Sequence, residues 1–154
     1  MLVQILTGFL ISMVCVMIHA MATIAAIGVA RAVGVRQTRW PRAHLMAVMV
    51  ATVVVLKAAH GLEVVVWALA YALVGAAPEG SDLLYFAFVN YTTLGYGDVT
   101  PVKAWQLLGP MAAMNGILMF GWSTAVLFEV LMKELAHLAT IAPPGSPFSA
   151  VDRG

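Results

Sequence analysis

The stretch Asn90–Pro101, NYTTLGYGDVTP, sets two threonines, a Gly-Tyr-Gly and an aspartate into an otherwise largely apolar chain. It cannot continue a helix, because Gly95 and Gly97 favour backbone angles that residues with a Cβ resist. The ten residues Asp82–Tyr91, DLLYFAFVNY, are apolar and aromatic. They are too short to cross a bilayer, which takes about 20 residues. Ser81 or Asp82 can cap them as a helix N-terminus. The pattern predicts a re-entrant helix that enters from one side and stops midway. Irregular backbone at that depth is tolerated only where protein buries it or it lines a water-filled cavity. The residues after Tyr91 are therefore expected to line a cavity.

The rest of the chain supports a membrane setting. Of its 154 residues, 62% are hydrophobic and only 10% are charged, against about a quarter charged in soluble domains. Three apolar segments, Leu2–Val33, His44–Val74 and Ala104–Leu135, exceed the length of a membrane span. The first lacks a basic start and is too long for a signal peptide. Arg31, Arg36, Arg39 and Arg42 cluster between the first two segments, which predicts a cytoplasmic loop there. The N-terminus is then outside and the C-terminus cytoplasmic, in a multi-pass protein of the plasma (inner) membrane. Trp40, Tyr71 and Trp105 fall near the expected interfaces. A net charge of +1 gives no reason to expect a nucleic-acid partner. The single cysteine, Cys15, excludes an internal disulfide framework.

Thr93-Leu94-Gly95-Tyr96-Gly97-Asp98 resembles the potassium-channel signature, usually Thr-Val-Gly-Tyr-Gly-Asp. Gly116-Ile117-Leu118-Met119-Phe120-Gly121 resembles the inner helix of small bacterial potassium channels, including the glycine at which that helix bends. The resemblance covers roughly residues 62–129. It implies an all-α membrane protein with three transmembrane helices, a re-entrant pore helix and a selectivity-filter loop, assembled as a tetrameric pore. The division is then a first helix (1–33), a basic loop (34–43), a pore domain (44–135) and a tail (136–154). Within the pore domain lie an outer helix (44–74), a pore helix (82–92), a filter (93–98) and an inner helix (104–135). The first helix is extra to a two-helix pore. The Pro/Ser/Gly-rich tail is expected to be disordered.

The resemblance also assigns roles. Carbonyls of Thr93, Leu94, Gly95 and Tyr96, with the Thr93 hydroxyl, would replace the hydration shell of K+. Gly97 would let the strand turn at the outer mouth, and Thr92 and Asp98 would support the filter. The side chains of Leu94 and Tyr96 would turn away from the axis and pack against the pore helix. Asn115 and Gly116 would lie below the filter: Asn115 facing the cavity or bonding the pore helix, Gly116 as a hinge or a packing point. Leu94 departs from the usual Val, Tyr85 and Phe86 stand where many relatives carry two tryptophans, and Val89 where some carry a buried glutamate. One chain carries one filter strand, so the implied assembly is a homotetramer. No cofactor is implied; K+ is the permeant ion.

The second segment also contains Lys57, His60 and Glu63 near mid-span, with His19 at similar depth in the first. Ionisable groups there cost at least about 2.5 kcal/mol each and need partners. Spacing of three places neighbours on one drifting face. The four are expected to form a hydrogen-bonded lock between helices or between subunits; a pH sensor and a metal site at His60 and Glu63 are the alternatives. Phe120 and Trp122 read as packing residues, and Glu129 as part of a solvated face.

A potassium-selective channel is the leading reading, with a weakly selective monovalent cation channel as the alternative. A proton-coupled transporter using Lys57, His60 and Glu63 lacks the paired broken helices expected of repeat-built transporters. No nucleophile–base pattern suggests an enzyme. No arginine-lined helix suggests a voltage sensor, and no motif suggests a regulatory ligand.

Overall fold

The computed structural model describes residues 1–34 and 40–141. Four α-helices follow in order: α1 (Leu2–Gly34), α2 (Pro41–Val74), α3 (Leu83–Tyr91) and α4 (Leu108–Ile141). A 3-10 turn, Lys103–Trp105, precedes α4. There is no strand among the described residues. Helices α1, α2 and α4 are each long and apolar enough to cross a membrane. At 33, 34 and 34 residues, each extends about 50 Å, well past a hydrocarbon core of about 30 Å.

The helix ends shift from the expected positions for local reasons. Helix α2 begins at Pro41 rather than His44; proline suits the first helical position, where its missing N–H is not needed. Helix α4 begins at Leu108 rather than at residue 104, because residues 103–105 form the tighter turn. Pro110 falls in its first turn, where no intrahelical N–H bond is lost. The helix continues to Ile141, so residues 136–141 belong to it and not to a tail. The remainder of the tail and residues 35–39 of the basic loop lie outside the described residues.

The chain divides into two units. The first contains residues 1–21 and 57–122. In it, Gln4 Oε1 accepts the Leu107 N–H at 3.1 Å, and the Val102 N–H donates to the Ala76 carbonyl at 2.8 Å. The start of α1, the end of α2 and the start of α4 therefore meet at one end of the unit. Its core holds Cys15, Trp67, Tyr71, Phe86, Tyr91, Leu108 and Met119. In lipid the apolar effect does not separate helix from helix, so packing and polar contacts carry the association. The buried aromatics supply both. Trp67 Nε1 donates to Asn115 Oδ1 at 3.0 Å, and the Tyr71 hydroxyl donates to the Leu108 carbonyl at 3.4 Å. Tyr71 is fully buried, a helix-to-helix contact rather than the interface ring its position suggested.

The second unit holds the described part of residues 22–56 and 123–154. Its buried residues include Ala26, Ala30, Val48, Val126, Val130 and Leu138. Across this packing, His44 Nε2 lies 3.7 Å from Glu134 Oε2, both largely buried. Glu129 pairs with Lys133 at 2.8 Å on an exposed face, the solvated surface expected of Glu129.

Candidate functional site

Helix α3 is set by its cap. Asp82 Oδ1 accepts the N–H groups of Leu84 and Tyr85 at 3.0 and 3.1 Å, satisfying donors that a helix start leaves open. Nine residues later the helix stops, at about 14 Å of length. The chain then turns back on its own helix end. The Thr93 N–H donates to the Asn90 carbonyl at 3.0 Å and the Leu94 N–H to the Val89 carbonyl at 3.0 Å. The Thr92 hydroxyl donates to the Phe88 carbonyl at 2.7 Å.

Backbone angles after the turn alternate in sign. φ is positive at Thr93 (63°), Gly95 (58°) and Gly97 (78°), and not at Leu94 or Tyr96. Glycine adopts such angles freely. A β-branched threonine does so only as an outlier, a form of strain that clusters at functional sites and costs about 1–3 kcal/mol. An ordinary strand keeps φ negative and points successive carbonyls to opposite sides; alternating signs break that alternation. The whole run 92–98 is exposed in a single chain. Leu94 is 53% and Tyr96 67% exposed, so a single chain leaves much of both side chains uncovered.

Asp98 is anchored to α3. The Tyr85 hydroxyl donates to Asp98 Oδ2 at 2.7 Å. That bond stabilises the carboxylate and holds its pKa below the ordinary carboxyl value. The same bond raises the Tyr85 hydroxyl pKa.

Below the turn, Gly116 of α4 lies against the end of α3. A Cβ there would overlap the Tyr91 carbonyl oxygen and stand 2.9 Å from its carbon. Close packing thus requires a glycine at this position. Asn115 is buried, and its oxygen is committed to Trp67. The indole N–H is only a donor, which fixes the amide orientation. The Asn115 bond therefore goes to α2, a partner neither expectation named.

Three of the four expected cluster members come together. His19 Nδ1 lies 2.9 Å from Glu63 Oε1, and His60 Nδ1 lies 3.4 Å from Glu63 Oε2. Lys57 does not join them; it is exposed. Each step of three turns the helix about 60° short of a full circle, so two steps carry Lys57 off the face of Glu63. A residue not expected takes its place: the Tyr91 hydroxyl donates to Glu63 Oε2 and lies 3.1 Å from His60 Nδ1. The ring of Phe120 packs on His60 at 4.6 Å and that of Trp122 on His19 at 5.4 Å between centroids. Both are packing residues, as expected. Tyr91 ends α3, and nothing in the spacing of the other three residues signals that it reaches them.

No curated protein and no solved structure matches the chain. Residues 59–133, which include the second half of α2, all of α3, the exposed run 92–98 and most of α4, match the family model described as Ion channel.

Proposed function

We propose that the protein is a potassium-selective channel whose pore forms from four copies of this chain. K+ is held by carbonyls of Thr93, Leu94, Gly95 and Tyr96 and by the Thr93 hydroxyl, in place of its hydration water. The observation that carries this reading is the alternating sign of φ at Thr93, Gly95 and Gly97. It favours carbonyls gathered on one side of an exposed segment, directly after a capped helix too short to span. The helix end also directs partial negative charge toward that segment. One segment supplies one side of a carbonyl cage. A closed ring needs symmetry-related copies, and the exposure of residues 92–98 in one chain leaves room for them. Ions pass in single file, neighbouring ions repelling one another. The segment faces the outside, and the N-terminus lies on that same side. The proton-coupled alternative loses support, because Lys57 stands apart from His60 and Glu63.

The test is flux through the purified protein in vesicles. K+ flux that exceeds Na+ and proton flux and is blocked by barium is expected. Equal Na+ and K+ flux, or flux carried by protons, refutes the proposal. Gly95→Ala refines it. The space around Gly95 is open, with the Thr93 carbonyl 3.9 Å from an added Cβ, so the cost arises from its positive φ, about 1–2 kcal/mol. Loss of K+ selectivity with normal membrane insertion is expected; retained selectivity removes Gly95 from the filter.

A further inference from the structure

The potassium reading makes no use of His19, His60 and Glu63. We propose that these three side chains form a binding site for a zinc-class divalent transition-metal ion. Their ligand atoms lie within 4.8 Å of one another. Zinc bonds to His nitrogen and carboxylate oxygen are about 2.0–2.2 Å long, which sets tetrahedral ligand atoms roughly 3.3–3.6 Å apart. His19 Nδ1 stands 2.9 Å from Glu63 Oε1, somewhat inside that spacing, and His60 Nδ1 stands 3.4 Å from Oε2, within it. With no ligand pair more than 4.8 Å apart, shifts of about 1.5 Å or less bring the three groups to that spacing.

The donor chemistry selects the ion. Two imidazoles and one carboxylate suit zinc and its neighbours; calcium and magnesium prefer oxygen ligands. Three protein ligands leave a fourth position for water, the arrangement of open zinc sites. Helical placement makes the site rigid. His60 and Glu63 share one face of α2 at a spacing of three, and His19 comes from α1. Facing helices that project such groups inward are a common way to build metal sites in bundles. Supporting contacts are present: the Tyr91 hydroxyl donates to the carboxylate oxygen, and hydrogen bonds of this kind orient ligands. His19 and Glu63 are fully buried, whereas the His60 side chain is 15% exposed and provides the way in.

Charge is balanced simply. Imidazoles bind metal in the neutral form, so protons held on His19 or His60 leave as the ion enters. A divalent ion beside ionised Glu63 leaves one positive charge, the charge the cluster carries when both imidazoles are protonated. The bound ion would clamp α1 to α2 beside Tyr91, the last residue of α3.

The test uses the full-length protein in detergent, stripped with chelator. Zn2+ is measured by equilibrium dialysis, and Co2+ by its visible absorption as a geometry probe. We expect one Zn2+ per chain and the intense bands of tetrahedral Co2+. His19→Gln and His60→Gln, which keep a hydrogen-bonding side chain, each weaken binding by about tenfold or more. His137→Ala, on an exposed part of α4, leaves it unchanged. Wild-type binding no tighter than that of the His19→Gln/His60→Gln double variant overturns the proposal, as does a Co2+ spectrum of the hydrated ion. The readout is independent of ion flux, so its failure and failure of the channel reading are separate results.

Discussion

Gly116→Ala isolates the packing of α4 on the end of α3. A Cβ at this position overlaps the Tyr91 carbonyl oxygen and closes to 2.9 Å of its carbon. The obstacle is backbone, so no side-chain rotation relieves it. The two helices must separate by roughly an ångström or more before the contact becomes ordinary. The same turn of α4 carries Asn115, bonded to Trp67, and the buried Met119 lies one turn further; a retreat loosens both. Overpacking costs about 1–3 kcal/mol, and a backbone obstacle places this change at the upper end. Gly121, in the same helix, has nothing within 4 Å of an added Cβ. Gly121→Ala is therefore expected to be neutral, or stabilising by up to about 1 kcal/mol through helix propensity. Thermal unfolding in one detergent, followed by circular dichroism, ranks the variants. Gly116→Ala unfolding at or above the Gly121→Ala temperature refutes the packing argument and returns Gly116 to a hinge role.

Tyr85→Phe removes the bond to Asp98, whose carboxyl pKa it lowers from the ordinary value of 3.8. A lowered folded-state pKa stabilises above the unfolded value and is lost as pH falls through the folded one. The difference in unfolding temperature between wild type and Tyr85→Phe is thus expected at neutral pH and to fade below pH 3.8; a difference constant down to that range contradicts it. Glu63→Gln removes the charged acceptor shared by His19, His60 and Tyr91. A loss of about 1.5–3 kcal/mol is expected for a hydrogen bond to a charged group, and unchanged stability of the purified protein counts against a structural role. Asn115→Leu leaves the buried Trp67 N–H without its acceptor, at about 1–3 kcal/mol. Adding Trp67→Phe to it is expected to cost less than the sum of the single changes, and strict additivity dissociates the pair.

The local features of the site are legible in sequence because they are set within a few residues. Asp82 caps, ten apolar residues cannot span, and Gly95 and Gly97 sit where positive φ is needed. Contacts between elements are legible only in part. His19 and Glu63 share a depth, and their pairing follows from antiparallel helices. Lys57 shared the depth as well, but helical drift turned it away, and spacing of three conceals that drift until two steps accumulate. Tyr91 reaches Glu63 from a separate helix, and no periodicity within α2 signals it. The Asn115 partner lies on α2, whereas the resemblance implies only the cavity or the pore helix. Helix ends moved where proline and a 3-10 turn competed with apolar pattern.

The determinants of the exposed segment 92–98 fall into two groups. Its shape is held within one chain: Thr92 and Thr93 bond to the end of α3, Leu94 bonds to Val89, and Asp98 bonds to Tyr85. These contacts hold Thr93 at a φ of 63°, which an unsupported β-branched residue does not keep. The shape of this segment is thus held within one chain, as the proposed ion-binding carbonyls require. Leu94 and Tyr96 behave differently. At 53% and 67% exposed, their side chains gain little from their own chain, and in the proposed tetramer a neighbouring copy covers them. Tyr85 therefore acts on the form of the segment and Leu94 on the fit between segments. A change at Leu94 is expected to alter assembly and selectivity together, whereas Tyr85→Phe alters the segment without loosening the contact between copies.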